Sequence, residues 1–204
     1  MSVRVRCAAR ILFALVVIGL VACAPVRVRE SPGALANQSA REAQLETHSR
    51  WTLSARIFVS DGGDNNGSGD LDWHHDGERY DFTLRAPTGK TWKLSGDAGH
   101  ATLAGVEKEP IRGSDPERLL RERLGWDVPV ADLANWVRGA RAPGGPAQLQ
   151  FDENSLPAVL EQDGWKIDYR EWFADMKPPM PRRVYATRGK ARVKMAIERW
   201  SVDD

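Results

Sequence analysis

The sequence predicts a mainly β domain: a long antiparallel meander of about ten or eleven strands, curled into a barrel or half-barrel, with two or three short helices against its concave side. Three observations carry this. Apolar residues alternate with polar ones at period two from about residue 51 to 103 and again from 147 to 202, as strands with one buried face require. Polar and Gly-containing turns such as His75-Asp76-Gly77-Glu78 separate the runs. Between the two blocks, residues 114–139 change to helical spacing.

The chain opens on a segment that is not part of that domain. Arg4, Arg6 and Arg10 form a cationic start without an acid, and residues 11–22 are an uninterrupted apolar run of twelve. A membrane-spanning helix needs about 20 apolar residues, so this run is a signal-peptide core. It ends in Leu20-Val21-Ala22-Cys23, which matches the lipobox of bacterial lipoprotein signals. Cleavage before Cys23 and acylation of its thiol follow, with residues 1–22 removed and the outer-membrane lipid holding the chain through Cys23. Inner-membrane lipoproteins commonly carry Asp after that cysteine; Ala24 therefore implies the outer membrane, periplasmic face.

Loss of three arginines from 29 basic and 28 acidic residues leaves 26 against 28, a mature charge of −2. A near-neutral body offers no support for a nucleic-acid partner. Cys7 leaves with the signal and Cys23 is acylated, so the mature domain has neither a disulfide nor a cysteine nucleophile.

Residues 23–33, with Pro25 and Pro32, read as a lipidated tether, and residues 34–204 as one domain. Residues 34–50 have helix-forming composition and a thin apolar face at Leu35 and Leu45. Strands follow where Trp51, Leu53, Ala55, Ile57 and Val59 alternate with polar residues, then around Leu71 and Trp73, Phe82 and Leu84, Trp92 and Leu94, and Ala101 and Leu103. In the insert, Ser114-Asp115-Pro116-Glu117 has capping-box spacing, Leu119, Leu120 and Leu124 form a face, and Gly125 closes it. Pro129 leads a second helix with Leu133, Trp136 and Val137 on one side and Gly139 as its stop. Strands resume at 147–152, 156–162, 165–173, 182–188 and 191–202.

Little in the chain points to catalysis. Asp64-Asn65-Asn66-Gly67-Ser68-Gly69 begins like a calcium loop, but its twelfth position is His75, not a bidentate glutamate. It reads as a polar hairpin loop. His74 and His75 are strand neighbours that point to opposite faces and cannot easily share an ion. Asp70, Asp72, Asp81, Glu153, Asp168 and Glu171 include no evident facing pair, and serines lack a nucleophile elbow. No metal or cofactor is called for, and the chain reads as a binder, not an enzyme. Eight tryptophans against five Phe and three Tyr are enough aromatic area under a curled sheet for either a dense core or an apolar cavity.

Three segments resemble a known family. Val128-Pro129-Val130-Ala131-Asp132-Leu133-Ala134-Asn135-Trp136-Val137-Arg138-Gly139 is similar to a P-[VI]-x-x-L-x-x-W-[LIV]-x-G motif of the outer-membrane lipoprotein receptor family LolB. Gln162-Asp163-Gly164-Trp165-Lys166-Ile167-Asp168-Tyr169 is similar to its Q-x-G-W-x-[IV]-x-Y strand, and Met180-Pro181-Arg182 to a later M/L-P-x motif. With the lipobox, the resemblance covers essentially the whole chain. It implies an incomplete antiparallel β-barrel lidded by helices and enclosing an apolar cavity. It also implies a monomeric receptor that takes lipoproteins from a LolA-type carrier and inserts their acyl chains into the outer membrane's inner leaflet.

On this reading the acyl-chain cavity candidates are Leu53, Trp73, Phe82, Leu84, Leu94, Trp136, Trp165, Ile167 and Tyr169. The family also places a bulky apolar residue between Pro and Gly after the third strand, to engage the bilayer. Here the loop is Pro87, Thr88 and Gly89, so threonine stands at that position; Trp92, with Lys90 near lipid phosphates, is the candidate replacement. Two other readings remain open: the same fold binding another lipidic ligand, and a lipid-anchored hydrolase with a carboxylate pair. Basic Arg182, Arg183, Arg188 and Lys190 stand either as a carrier-facing patch or as a solvated strand face.

Overall fold

The computed structural model describes residues 33–202; the signal segment, Cys23 and the tether before Gly33 lie outside the described residues. Helix α1 (Ala34–Thr47) leads into β1 (Arg50–Ser60), β2 (Asn66–Asp76), β3 (Arg79–Arg85), β4 (Thr91–Asp97), β5 (His100–Ala104) and β6 (Ile111–Gly113). Helices α2 (Pro116–Leu124) and α3 (Val130–Trp136) follow. The chain then returns through β7 (Ala147–Phe151), β8 (Pro157–Gln162), β9 (Trp165–Phe173), β10 (Met180–Arg188) and β11 (Ala191–Val202).

All eleven strands form one antiparallel sheet in the order β6-β5-β4-β3-β2-β1-β11-β10-β9-β8-β7. Hairpins account for every pairing but one: β1 pairs with β11, so the first and last strands meet in the middle. The edges are β6 and β7, the strands that flank the helices, and they do not pair with each other. The sheet is therefore an incomplete barrel.

The period-two residues of β1 to β5 face inward. Trp51, Leu53, Ala55, Val59, Leu71, Trp73, Leu84, Leu94, Ala101 and Leu103 are all buried. At β11 the period breaks. A bulge opposite Ser54 and Ala55 adds Glu198 to the strand, so Ile197 and Trp200, three residues apart, both face inward. Trp200 Nε1 then donates to Pro181 O at 2.9 Å.

Three local expectations change. The segment read as a polar loop is already strand from Asn66 onward, and its glycines are there for clearance. A Cβ on Gly67 would lie 2.1 Å from the Trp126 ring, and one on Gly69 would lie 2.0 Å from Arg85 O. The cap of α2 is the Asp115 side chain, which accepts from Arg118 N at 3.0 Å, not Ser114. Helix α1 docks by polar groups: Leu35 is exposed, and the buried face is Ala34, Gln38, Arg41 and Leu45.

The docking site of α1 explains that face. Helix α3 ends inside the protein, where its terminal carbonyls need donors. Gln38 Nε2 and Arg41 Nη1 each donate to Gly139 O at 2.9 Å. Arg41 Nη2 donates to Arg138 O and, at 2.8 Å, to Pro179 O. Glu42 holds the same corner from outside through a 2.5 Å ion pair with Arg141. Burial pulls the Arg41 guanidinium down to about 10, so it stays charged at neutral pH.

Candidate functional site

The concave face carries a cavity of about 70 Å³ under α2 and α3. Its sheet side is formed by Ile57, Val59 and Leu71, then Phe82, Leu84 and Leu94, with Leu103 and Met195. The lid side is Leu120 and Leu124 of α2, Trp126 and Val128 of the connection, and Val130 and Leu133 of α3. Every lining residue is apolar. A water occupies about 30 Å³ of liquid, so the space as it stands admits only a small group. An acyl chain requires the lid to lift.

The lid is held at identifiable points. Trp126 lies on Gly67, where any side chain would collide with the ring, and meets Trp92 edge-on at 5.5 Å. Gly125 takes the left-handed conformation (φ +70°) that ends α2. Asp127 bridges Arg121 of α2 at 3.6 Å and Arg188 of β10 at 2.5 Å. Asp127 thereby ties the connection between the two helices to the far half of the sheet.

The expected cavity residues separate into groups. Phe82, Leu84 and Leu94 line the apolar cavity, and so does Trp92, expected instead at the bilayer. Leu53, Trp136, Trp165, Ile167 and Tyr169 are fully buried in the packed core and do not line it. Trp73 lies in the wall of a neighbouring recess. The motif segments at 128–139 and 162–169 turn out to be one assembly. Trp136 Nε1 donates to Gln162 Oε1 at 3.1 Å, and Tyr169 Oη donates to Trp136 O at 2.9 Å. Gln162 also accepts from Ala142 N at 2.9 Å and donates to Ala142 O at 2.8 Å. Burial drives the Tyr169 hydroxyl far above its usual range, so it remains a donor. These residues fix the α3 end of the lid to β8 and β9.

Pro87, Thr88 and Gly89 are exposed at the tip of the β3–β4 turn. The turn is closed by Ala86 N to Lys90 O at 2.8 Å and Gly89 N to Ala86 O at 2.9 Å, with Gly89 at φ +85°. Trp92 does not join this tip. Its half-buried ring faces the cavity, with Lys90 Nζ 5.0 Å from the ring centre. The lid residues Trp126 and Val128 were missed at the sequence level, because neither fits a strand or helix period. The Leu120–Leu124 spacing was visible, but did not say what the face covers.

At the opposite end of the strands from that turn, a larger recess of about 740 Å³ opens between α1, α3 and the β2–β3 and β4–β5 turns. Trp73, His75, Tyr80 and Arg138 form part of its wall. Burial lowers the His75 imidazole to about 4, helped by the charge of Arg138, so the ring is neutral at physiological pH. His74 is on the outer face and exposed. Among the described residues no group of His, Cys, Asp or Glu is placed to hold a metal ion. The basic residues of β10 have partners: Arg183 and Arg182 lie 3.3 and 4.0 Å from Glu171, and Arg188 pairs with Asp127.

An unclosed antiparallel barrel with a two-helix lid over a carbon-lined cavity defines the class of protein. A family model described as outer membrane lipoprotein LolB matches residues 49–200, and the chain belongs to that family. An outer-membrane lipoprotein LolB of Xanthomonas campestris is 40% identical over 171 residues, covering 81% of this chain and 78% of that one. One from Xanthomonas oryzae is 37% identical, covering 92% and 94%, and one from Marinobacter nauticus 34%, covering 89% and 92%. A LolA superfamily protein of Nitrosomonas europaea shares the fold at a TM-score of 0.53 with 10% identity, covering 82% of this chain and 94% of its own. A DUF1329 family protein of Desulfovibrio piger does so at 0.54 with 9% identity, covering 82% and 91%.

Proposed function

We propose that this protein is an outer-membrane-anchored receptor that accepts acylated lipoproteins from a LolA-type carrier and inserts them into the inner leaflet of that membrane. The observation that carries the reading is the wholly apolar cavity beneath a lid made of two short helices. Burial of acyl chain is worth about 0.8 kcal/mol per CH₂, so a dozen methylenes are held by roughly 10 kcal/mol. Release through water at that cost is too slow to be useful, and the chains must pass directly between apolar sites. Without a nucleotide motif, direction comes from graded affinity: carrier weakest, this receptor next, bilayer strongest.

Cys23 supplies the anchor and residues 24–33 the tether. The protein performs no bond chemistry in this role. Of the acids, Glu117 and Asp132 are raised by burial, yet Glu117 accepts a hydrogen bond from the backbone at Val130, which gives it a structural place at the start of α3.

The turn carrying Pro87, Thr88 and Gly89 meets the bilayer, with Lys90 beside lipid phosphates and Trp92 behind it as the wall through which the cavity opens. Trp92→Ala separates the two parts of this assignment. Loss of deposition with normal acceptance is the expected result and ties Trp92 to membrane delivery; normal deposition removes it from that step.

The decisive experiment is to incubate the soluble domain with lipoprotein-loaded carrier. Transfer of the lipoprotein to this protein is expected. If the lipoprotein stays on the carrier while the domain is folded, the receptor role fails, and a binder of some other lipidic ligand takes its place.

A further inference from the structure

The recess between α1, α3 and the ends of β2 to β5 is chemically unlike the cavity beside it. Trp73 Nε1, His75 Nδ1 and Tyr80 Oη are shielded from solvent there without a hydrogen-bond partner. The three side chains sit on the concave side of adjacent strands, where His75 pairs with Tyr80 and Trp73 with Phe82. Buried polar groups in packed cores are nearly always paired. Trp51, Trp92 and Trp165 also keep an unpaired Nε1, but Trp73, His75 and Tyr80 bring three such atoms to one wall of an open recess, where partners from outside the chain can meet them. Entry of those partners needs the wall to give, as entry into the apolar cavity already needs the lid to lift.

Arg138 completes the wall. It donates to Leu45 O at 3.1 Å, Ala134 O at 3.1 Å and Asn135 Oδ1 at 3.2 Å, and has no carboxylate in ion-pair range among the described residues. The rim has the opposite character, with Glu46, Glu78, Asp97 and Asp132. Donors in a recess whose lining also carries four carboxylates favour a neutral acceptor, because an anion meets like charges on approach. The recess also adjoins the apolar cavity. Val130 borders both, and the Trp73 ring is 4.3 Å from that of Phe82, which lines the cavity.

We propose that this recess seats the ester carbonyls of an acylated glyceryl-cysteine, while the attached chains occupy the adjoining apolar cavity. The assignment rests on the acyl-receptor reading above and adds to it a site for the polar linkage. The Trp73 indole N–H and protonated Tyr80, whose hydroxyl burial and Asp97 push up to about 12, both suit uncharged acceptors.

The test uses the lipid-anchored full chain in nanodiscs of phosphatidylethanolamine and phosphatidylglycerol. Two photoreactive glyceryl-cysteinyl peptides serve as probes, identical except that one carries ester-linked and the other ether-linked chains. Labelling of each is divided by its partition into empty discs. The wild type is expected to be labelled about fivefold more by the ester than by the ether. Tyr80→Phe and Trp73→Phe should each reduce that ratio at least twofold while ether labelling holds. Tyr80→Phe, which keeps the half-buried ring, decides alone if Trp73→Phe does not fold.

Equal labelling by ester and ether in the wild type overturns the recess assignment and leaves the acyl receptor standing. Labelling by neither overturns the receptor reading itself. Palmitate that competes better than the ester, and loses that advantage in Tyr80→Phe, also overturns the assignment, because the site then takes a carboxylate.

Discussion

At the scale of single residues, His75 and Gly67 make the clearest demands on their surroundings. The His75 imidazole titrates near 6.5 in the unfolded chain and near 4 in the folded one. Between those values the unfolded chain binds more protons. The stability that comes from the neutral ring is therefore complete above about pH 6.5 and is lost as pH falls toward 4. With solvent screening at a ring that is only partly buried, the loss should be about 1 kcal/mol. Urea midpoints at pH 7 and pH 5 measure it, and His75→Gln should flatten the difference; an equal slope in the variant would assign it to other groups. Gly67→Ala places a Cβ 2.1 Å from the Trp126 ring. The indole must leave the strand, at a cost of about 1–3 kcal/mol. Tryptophan emission should shift to the red, and an apolar dye should enter the cavity faster. Unchanged uptake would show that Trp126 does not gate it.

Among the elements, α1 is the one whose role depends most on side-chain chemistry. Its buried stripe includes Gln38 and Arg41, which satisfy the carbonyls of Arg138 and Gly139 at the end of α3 and that of Pro179 before β10. Arg41→Ala leaves those acceptors buried and unpaired, and should destabilise the domain by about 3 kcal/mol, read as a drop in thermal midpoint. Arg41→Lys should recover part of the loss, because a single ammonium cannot reach all three carbonyl groups at once. Full recovery would mean that charge alone matters there. The strands of the sheet were legible because one buried face imposes period two on their sequence. The α1 face was not, because hydrophobic spacing cannot reveal a helix that docks by donating hydrogen bonds. Glu198 was equally silent, since a bulge appears only when β11 is set against β1.

On the scale of the whole molecule, the anchor and the barrel are separable in principle. The described domain buries its own core and carries no helix long and apolar enough to cross a membrane. A Cys23→Ala form held in the periplasm should therefore still accept lipoproteins, with deposition less confined to the outer membrane. Fractionation of the deposited lipoprotein checks this. A folded variant unable to accept cargo would give the anchor a direct part in transfer. The lid belongs to the same scale. Trp126 rests on Gly67 of β2 and against Trp92 of β4, while Asp127 links α2 to β10 and Tyr169 links α3 to β9, so the lid spans both halves of the sheet.

The amino-acid sequence by itself determined the succession of strands along the chain, most of the inward set of side chains, the helical insert and, through its motifs, the family; the pairing of β1 with β11 came only with the fold. These depend on local period, capping and spacing, which a linear chain displays. Only the tertiary structure decided how the inward side chains are shared between a cavity and a core. Leu84 and Trp165 have the same periodicity and similar burial, yet one faces the space under α2 and the other packs against α3. Alternation selects a face of the sheet, but curvature and the position of the lid select what that face meets, and both arise from pairings between residues far apart in the chain.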